Sequence, residues 1–309
     1  MKWKKIVLII GTSLGVMLVV AGSYGWNLVA TTFTAIQEDV DRAESENRLD
    51  TINFDEGDPF SVLLMGVDES GGADDPNQRT DALVLLTVNP DTKSTQMVSI
   101  PRDTYTTIAG EGEKDKINHA YAFGGKDETI HTVEQFLDVP VDYFFQADMA
   151  GFEDMVDTIN GVSVENSFAF TYKGTHFAEG SQELNGEEAL KYARMRKDDP
   201  RGDLGRQERQ RDLLLGMMDK GTDISSVPKI KSILTVVEDH VRTNFQLKDV
   251  WTVQSNYQPA FDQVKQHEIE GEDGEMDDTY YYMPDTAQVQ ELSDRLNHHL
   301  EIEQTDQEA

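Results

Sequence analysis

Three runs rich in branched apolar residues constrain the fold of this chain more than any other feature. They are Ser61 to Val67, Ala82 to Val88 and Thr95 to Ile100, and each is about as long as one strand. Apolar residues on successive positions, rather than on alternate ones, are typical of strands that are covered on both faces. A turn signal, Asn89-Pro90-Asp91, separates the second run from the third and predicts a hairpin between them. The sequence therefore predicts a buried sheet close to the start of a folded domain.

The segments that follow alternate between helical and extended patterns. Asn185 and Glu188 have the spacing of a capping box, which predicts a helix that runs towards Arg194. The other predicted helices and strands are Thr129 to Leu137, Val141 to Gln146, Ala150 to Ile159, Val162 to Val164, Gly205 to Lys220 and a closing helix with Val289, Leu292, Leu296 and Leu300 on one face. Gly271 to Asp278 is predicted to be an acidic loop. The expected fold class is α/β (α+β), with a central mixed sheet sandwiched by helices in a single domain.

The amino terminus predicts a membrane anchor. Three lysines in the first five residues precede a stretch, Ile6 to Gln37, that carries no charged side chain. Such a stretch is long enough to cross a bilayer core of ~30 Å, and flanking lysines favour a cytoplasmic amino terminus. A signal peptide cleaved near Ala21 is the alternative, but the apolar run continues past that position. We expect a cytoplasmic segment at 1–5, a transmembrane helix at 6–30, a stalk and linker at 31–59, an extracellular domain at 60–302 and a frayed tail at 303–309.

Charge is distributed unevenly along the chain. The net charge of −31 disfavours nucleic acid as a partner, because a polyanion would be repelled. Against this background, Lys191 to Arg211 holds eight of the 27 basic residues. Arginine presents a planar fork that matches phosphate oxygens in pairs, so this segment predicts a binder of a phosphorylated substrate. The alternative is the solvated face of an exposed helix.

Acidic and basic residues also flank the three predicted strands. Asp68 follows the first strand, Arg79 and Asp81 begin the second, and Arg102 and Asp103 follow the third. If these strands pair antiparallel in sequence order, all five residues meet at one edge of the sheet. Two carboxylates beside arginines suit Mg²⁺ together with a phosphate group. Each residue taken alone is also consistent with an ordinary charged side chain next to a buried strand.

The helix that starts near Gly205 adds further polar residues to this picture. Arg206 and Gln210 lie on the helical line that continues through Leu214 and Met217, so they are expected to face an internal cavity. Three other arginines of the segment lack this argument and are expected at the surface or in supporting positions: Arg201, Arg209 and Arg211.

Six segments together resemble the signature of the LytR-CpsA-Psr family. They are FSVLLMGVD, RTDALVLLTVNP, VSIPRDTYT, KINHAYAFGG, DTINGVSVEN and LNGEEALKYARMRKDDPRGDLGRQERQR, within a match that covers roughly Phe60 to Met218 in the same order. The resemblance implies an α/β/α-type domain on the outer face of the membrane of a Gram-positive bacterium. It also implies an activity, which is transfer of an anionic glycopolymer from a polyprenyl-pyrophosphate carrier to peptidoglycan. The polymers in this family are wall teichoic acids, teichuronic acids and capsular polysaccharides.

The resemblance also implies roles for individual residues. It makes Asp68 and Asp81 the ligands of Mg²⁺, and it makes Asp203 a residue that orients an arginine. The implied pyrophosphate-binding residues are Arg79, Arg102, Lys116, Arg194, Arg196, Arg206 and Gln210. An apolar tunnel for the lipid is implied as well; side chains that would line it, or equally form plain core, are Phe144, Phe145, Met155, Ile159, Phe168 and Phe170.

The expected reaction starts from a peptidoglycan hydroxyl, which would attack the anomeric carbon of the polymer and expel the pyrophosphate carrier. Mg²⁺ and several arginines aimed at the leaving group, Arg102 among them, would stabilise the negative charge that develops on it. The proton acceptor stays open between Asp103 and the carboxylates of Asp68 and Asp81. Two other functions remain possible at this point: a lipid pyrophosphate phosphatase, and a non-catalytic, membrane-anchored sensor of wall polymers.

Overall fold

The computed structural model describes residues 29–40, 48, 52–68, 78–196, 198–221 and 227–302. Within these residues a six-stranded mixed sheet has the strand order β11-β6-β1-β2-β3-β12. The strands are β1 (Phe60–Asp68), β2 (Arg79–Asn89), β3 (Ser94–Ile100), β4 (Tyr105–Thr107), β5 (Lys114–Lys116), β6 (Tyr143–Asp148), β7 (Val162–Asn166), β8 (Phe170–Tyr172), β9 (Thr175–Phe177), β10 (Gly180–Leu184), β11 (Val241–Thr243), β12 (Val264–Glu268), β13 (Gly271–Met276) and β14 (Thr279–Pro284). The helices are α1 (residues 29–36), α2 (Ala120–Leu137), α3 (Met149–Thr158), α4 (Gly186–Arg194), α5 (Asp203–Gly221), α6 (Val227–His240), α7 (Leu247–Asn256), α8 (Gln258–Phe261) and α9 (Thr286–His299).

The predicted arrangement of the first three strands is confirmed. β1 pairs antiparallel with β2, and β2 pairs antiparallel with β3 across the turn that follows Asn89. β6 and β12 join the two sides of this meander in parallel, and β11 adds an antiparallel strand at the edge beyond β6. The ends of β1 and β3 and the start of β2 therefore lie at one edge of the sheet, as the sequence predicts.

Both faces of the sheet are covered, as expected from the unbroken apolar runs. Leu63 and Met65 of β1 point to one face, where they join a core cluster with side chains of α2 and α9. Val62 and Leu64 point to the opposite face, towards α7 and α8. The closing helix α9 buries the predicted stripe, since Leu292 is 7 % and Leu296 is 0 % exposed. A separate core cluster holds α3, α4 and α5 against the short strands β7 to β10.

The capping box at the start of α4 is confirmed. The Asn185 side chain accepts a hydrogen bond from the backbone N–H of Glu188, and the Glu188 side chain accepts one from the N–H of Asn185. Two donors at the helix amino terminus are thereby satisfied. The helix ends at Arg194, so Arg194 and Arg196 lie where the chain leaves the helix.

The chain before β1 differs from the predicted stalk and linker at 31–59. Ile36 is only 2 % exposed, and the backbone N–H of Glu38 donates to the carbonyl oxygen of Thr243 in the sheet. Phe54 is 5 % exposed and contacts the rings of Phe60 and Tyr143. The described parts of this segment are therefore packed on the domain because their apolar side chains complete its core.

The predicted transmembrane segment at 6–30 and the tail at 303–309 lie almost entirely outside the described residues. Among the residues that are described, none of the helices has the length and apolar character needed to cross a membrane.

The prediction of an acidic loop from Gly271 to Asp278 is wrong. These residues form β13 and the turn of a hairpin with β14. The turn residues Asp277 and Asp278 have positive φ angles of 50° and 61°, which is the backbone conformation that tight two-residue hairpins require. The hairpin is attached to the end of β3 by a hydrogen bond from the backbone N–H of Tyr282 to the carbonyl oxygen of Asp103, 2.8 Å long.

Candidate active site

The sheet edge is shaped by a β-bulge that contains a predicted site residue. Gly66 pairs with Ala82 and Val67 pairs with Thr80, so Asp81 is the extra residue in β2. A bulge of this kind re-aims the side chain of the inserted residue and is common beside active sites. Asp81 is thereby directed to the end of β3, where its Oδ1 accepts a hydrogen bond of 2.5 Å from Nη1 of Arg102.

Asp103 is the centre of the charged group. Its carboxylate accepts a hydrogen bond from Nζ of Lys116 at 3.0 Å and one from Nη1 of Arg196 at 3.3 Å. Nε of Arg102 lies 3.8 Å from the same carboxylate. Residues far apart in the sequence are thus joined at one point: Arg102 follows β3, Lys116 ends β5 and Arg196 follows α4. Of the five residues predicted to meet at this edge, Asp81, Arg102 and Asp103 are in contact here, and Lys116 and Arg196, which the family resemblance implied, join them.

The surroundings of Asp103 keep it ionised. Burial alone would raise the pKa of this carboxyl group, because its side chain is only 6 % exposed. The hydrogen bond from Lys116 and the charges of Arg102 and Arg196 outweigh burial and hold the pKa below its usual value. A carboxylate with a lowered pKa is a weak base, so this geometry favours a role in holding three cations in place over a role as proton acceptor.

Asp68 and Arg194 form a second, looser pair at the same edge. Nη2 of Arg194 lies 3.8 Å from Oδ1 of Asp68, and both side chains are about one-third exposed, at 31 % and 32 %. Asp68 is the last residue of β1 and is paired across the strands with Arg79, which is exposed. Both predicted magnesium carboxylates therefore belong to neighbouring strand ends.

The donor set at this edge fits Mg²⁺. No group of three or more His, Cys, Asp or Glu side chains that could hold a metal occurs in the part of the chain that the structure describes. Mg²⁺ does not need such a cage, since it is usually held by one or two carboxylates and completes its shell with water and phosphate oxygens. Asp68 and Asp81 supply that number, and each carboxylate has lone pairs beyond those used by one arginine.

The corner between α4 and α5 is held by a buried ion pair that the sequence did not single out. Asp199 has a fully buried side chain and accepts a short hydrogen bond from Nη1 of Arg209. Arg209 also donates to the carbonyl oxygens of Tyr192, at 3.1 Å, and of Met195. A methyl group at Gly205 would overlap the Asp199 carboxylate, so the glycine is required for this close approach. Arg209 is thus a supporting residue, although it is not at the surface.

The remaining predicted residues lie on α5. Arg206 is buried, at 5 % exposure, and Gln210 is half-buried one turn later, in agreement with the prediction that this line of the helix faces inwards. Asp203 begins the helix, and its side chain lies outside the described part of the structure. The arginine-orienting role of Asp203 stays a prediction, and Asp199 is a further aspartate that orients an arginine, Arg209.

Two tyrosines of the hairpin lie against the cations, and the sequence analysis missed both. The Arg196 guanidinium lies 5.2 Å from the ring centre of Tyr280. Nζ of Lys116 lies 5.9 Å from the ring of Tyr280 and 5.6 Å from that of Tyr281. Contacts at these distances stabilise a cation over the negative face of an aromatic ring. The three consecutive tyrosines at 280–282 are a signal in the sequence, but they follow a segment predicted to be an acidic loop and no strand is predicted for them.

A cavity of about 1720 Å³ lies on the face of the sheet that α5 and α7 cover. Side chains of β1 and β2 form its floor, and Leu215 and Gly216 of α5 contribute a wall. Phe33 of α1 lines it too, which places the segment after the apolar amino terminus at the cavity.

Of the six residues proposed for a lipid tunnel, only Phe145 is among those that line this cavity. Phe144 is part of the opposite core cluster, and Phe170 is buried with α3 to α5. Phe168 packs on that same cluster, and Met155 and Ile159 are likewise not among the lining residues. For Phe144, Phe168 and Phe170 the structure supports the second alternative, plain core, and burial of an aromatic residue in the sequence pattern could not distinguish a cavity wall from a packed core.

Comparison with known proteins identifies the family. The LytR_cpsA_psr family model matches residues 24–298. A relative from Bacillus licheniformis, the polyisoprenyl-teichoic acid–peptidoglycan teichoic acid transferase TagU, is 47% identical over 302 residues, which cover 97% of each chain. The crystal structure of Bacillus subtilis TagU is 48% identical, covers 79% of this chain and 97% of its own, and superimposes with a TM-score of 0.63. A structure of TagT bound to LIIa-WTA is 33% identical, covers 85% and 99% of the two chains, and has a TM-score of 0.71. The chain belongs to the LytR-CpsA-Psr family.

Proposed function

We propose that this protein transfers a teichoic acid or a related anionic glycopolymer from a polyprenyl-pyrophosphate carrier to peptidoglycan. The observation that carries the proposal is the group around Asp103, where Arg102, Lys116 and Arg196 are held within 3.8 Å of one carboxylate. The relatives described above are named for the same reaction. The cavity of about 1720 Å³ on one face of the same sheet is proposed to hold the isoprenoid chain.

The site is built to receive the pyrophosphate. The side chains of Arg102, Arg194 and Arg196 are 28 %, 31 % and 32 % exposed, so each has part of its guanidinium open to a ligand. Their positions are fixed by aspartates before the ligand arrives, which avoids a cost of reorganisation during the reaction. Arg79, Arg206 and Gln210 are proposed to complete the phosphate contacts from β2 and α5.

Mg²⁺ is proposed as the cofactor, held by Asp68 and Asp81. When bound, it would neutralise part of the pyrophosphate charge and polarise a phosphoryl oxygen. The arginines and Lys116 would also stabilise the non-bridging phosphate oxygens, over which negative charge is spread in the transition state of phosphoryl transfer.

These residues favour attack on the phosphorus next to the sugar over attack on the anomeric carbon. Sugar transfer passes through an oxocarbenium-like state that is usually flanked by a pair of carboxyl groups. Here Asp103 is surrounded by cations, and the positive charges surround the place where phosphate oxygens would lie. Attack of a peptidoglycan hydroxyl on that phosphorus forms a new P–O bond, breaks the bridging P–O bond and releases polyprenyl phosphate. The polymer is then joined to peptidoglycan through a phosphodiester.

The location is proposed from the sequence. An apolar helix at 6–30 would anchor the protein in the cell membrane, with the amino terminus in the cytoplasm and the catalytic domain outside. This arrangement would give the cavity, one wall of which is formed by Phe33, access to a carrier in the outer leaflet.

The test is transfer of a labelled, lipid-linked polymer to peptidoglycan by the full chain in detergent. Arg102→Ala and Arg196→Ala should each lower the rate by roughly 10²–10³-fold, the effect expected when a donor aimed at developing charge is lost. Arg295→Ala is the matched control, because Arg295 is 51 % exposed and pairs with Glu291 on the surface of α9.

The chemical fate of the label distinguishes the alternatives. Label that becomes covalently attached to peptidoglycan supports transfer, whereas label that is released by water at the same rate indicates a lipid pyrophosphate phosphatase. Binding of polymer with neither outcome indicates a sensor. A folded Arg102→Ala, Arg196→Ala double variant with undiminished attachment would refute the assignment of the site.

A further inference from the structure

The proposed reaction requires a second substrate to approach from a defined direction. In a phosphoryl transfer the attacking and leaving oxygens lie roughly in line on opposite sides of the phosphorus. The leaving polyprenyl phosphate would lie towards the cavity, whose floor is formed by side chains such as Val62 and Leu64 of β1. Alternate residues of a strand point to opposite faces. The attacking hydroxyl must therefore arrive from the side of the strand ends that is away from this cavity.

The tyrosine hairpin lies on that other side. Tyr282 is buried in the core cluster that contains Leu63 and Met65, the residues of β1 that point away from the cavity. Its backbone N–H is bonded to Asp103, and Thr104 forms a β-bridge with it. The two tyrosines that precede it are thereby fixed next to the cations of Lys116 and Arg196.

Aromatic rings form a continuous group at this position. The ring of Tyr281 lies 5.1 Å from that of Tyr105 in an edge-to-face arrangement. Both rings are half-buried, and Nζ of the exposed Lys114 lies 5.6 Å from the Tyr105 ring. Tyr280 has a different partner, since it lies under the guanidinium of Arg196. Tyr281 thus joins Tyr105 to the cationic group, because Nζ of Lys116 lies 5.6 Å from the Tyr281 ring.

Such a surface suits a sugar. The face of an aromatic ring carries partial negative charge and attracts the weakly positive C–H groups of a pyranose ring. A lysine at the rim provides hydrogen bonds for sugar hydroxyl and carbonyl groups. An acidic surface would repel an anionic polymer, whereas an uncharged glycan strand is not subject to that repulsion.

We infer that Tyr105 and Tyr281, at the junction of β4 with the β13–β14 hairpin, form the subsite that binds the peptidoglycan glycan strand during transfer. Tyr280 is a positioning residue, which supports Arg196. The inference rests on the proposed function for the identity of the glycan, and it assigns the acceptor to a surface separate from the one that holds the donor.

The first experiment measures binding without transfer. Soluble, uncrosslinked glycan-strand fragments are titrated into the full chain in detergent, and affinity is compared for Tyr105→Ala, Tyr281→Ala and the two Phe variants. We expect about a tenfold loss for each Ala variant, equivalent to about 1.4 kcal/mol, and a change of less than about twofold for each Phe variant because the ring is kept. Phe123→Ala is the control, since Phe123 is a 52 % exposed aromatic residue elsewhere on the domain.

The second experiment separates acceptor from donor. In the transfer assay, Tyr105→Ala should raise the KM for the glycan about tenfold while the affinity for a polyprenyl pyrophosphate stays within about twofold. Equal glycan affinity for wild type and both Ala variants would overturn the inference, and so would a parallel loss of donor affinity. If Tyr281→Ala does not fold, Tyr105→Ala gives the same comparison.

The two proposals can fail separately. Absence of transfer by the wild type would refute the proposed function, yet tyrosine-dependent binding of glycan fragments would still support the subsite. Normal transfer with no effect of either Ala variant on glycan binding would refute the subsite alone.

Discussion

Replacing Asp199 by Asn should destabilise this domain far more than a comparable change in an exposed ion pair of the adjoining helix α5. Asp199 has a fully buried side chain, and the side chain of its partner Arg209 is 4 % exposed. Removing the carboxylate charge leaves a guanidinium without a counter-charge in the interior, and breaking a buried pair in this way costs about 3–5 kcal/mol. We expect the lower end of that range, because Arg209 retains the carbonyl oxygens of Tyr192 and Met195 and lies 5.5 Å from the ring of Phe170.

The assay is urea unfolding of the full chain in detergent, followed by far-ultraviolet circular dichroism. With a slope of about 2–3 kcal/mol per molar urea, a loss of about 3 kcal/mol lowers the midpoint by about 1–1.5 M. Glu208→Gln is the matched control, since it makes the same carboxylate-to-amide change in the pair with Arg201, where the two side chains are 36 % and 49 % exposed. An exposed pair contributes about 0.2–1 kcal/mol, so its midpoint should move by less than about 0.5 M.

Equal midpoint shifts for the two variants would refute the reasoning, because burial would then not determine the cost. A double replacement of Asp199 by Leu and Arg209 by Met provides a second check. It removes both charges and keeps apolar volume, so stability should recover relative to Asp199→Asn. Further loss in the double variant would show that packing, rather than the uncompensated charge, dominates at this corner.

Three other predictions concern pH, a histidine and a glycine. Burial raises the pKa of Asp103, but Lys116 and two arginines lower it below 3.8. The stabilising effect of the ionised carboxylate is therefore present above that pH and is lost only as the pH falls through the lower pKa of the folded state. The difference in unfolding free energy between wild type and Asp103→Asn should close only below about pH 3.8. Burial lowers the pKa of His299 from 6.5 to about 4, so the free energy of unfolding should fall as the pH is lowered from 6.5 to 4, by at most about 1.4 kcal/mol per pH unit. A flat dependence of this free energy on pH in His299→Gln would confirm that His299 is its source, whereas an unchanged slope would contradict it. Gly205→Ala should lower the midpoint of thermal unfolding, because its methyl group overlaps the Asp199 carboxylate, and an unchanged midpoint would contradict that contact.

The sequence predicted those site residues that lie directly next to the ends of buried strands. Asp81, Arg102 and Asp103 were identifiable because they adjoin apolar runs whose pairing order follows from short connections. Lys116 and Arg196 were named only through the family resemblance, since no rule of spacing places the end of β5 and the end of α4 beside β3. Their convergence on Asp103 depends on packing between distant elements.

The hairpin at 271–284 could not be predicted from hydrophobic alternation. β13 is acidic and largely exposed on both faces, so it lacks the apolar positions that mark a strand. Its turn is Asp-Asp rather than the Asn-Gly or Asp-Gly sequence that most often adopts positive φ at both positions. The cavity was also hidden in the sequence: its lining residues come from many segments, and each of them taken alone resembles ordinary core.

Phe33 lines the cavity, so the segment that follows the apolar amino terminus contributes to the structure of the domain. Two residues separate Ala30, the end of the predicted anchor, from Phe33, so even a fully extended chain spans at most ~11 Å between them. The proposed anchor therefore acts as a short tether that sets how far the cavity can lie from the membrane surface. A chain shortened to begin after residue 40 would lose both the tether and one side of the cavity. Fusing the domain to a different anchor would preserve attachment, but it would preserve loading of the carrier only if the 29–36 helix and its distance from the bilayer were kept.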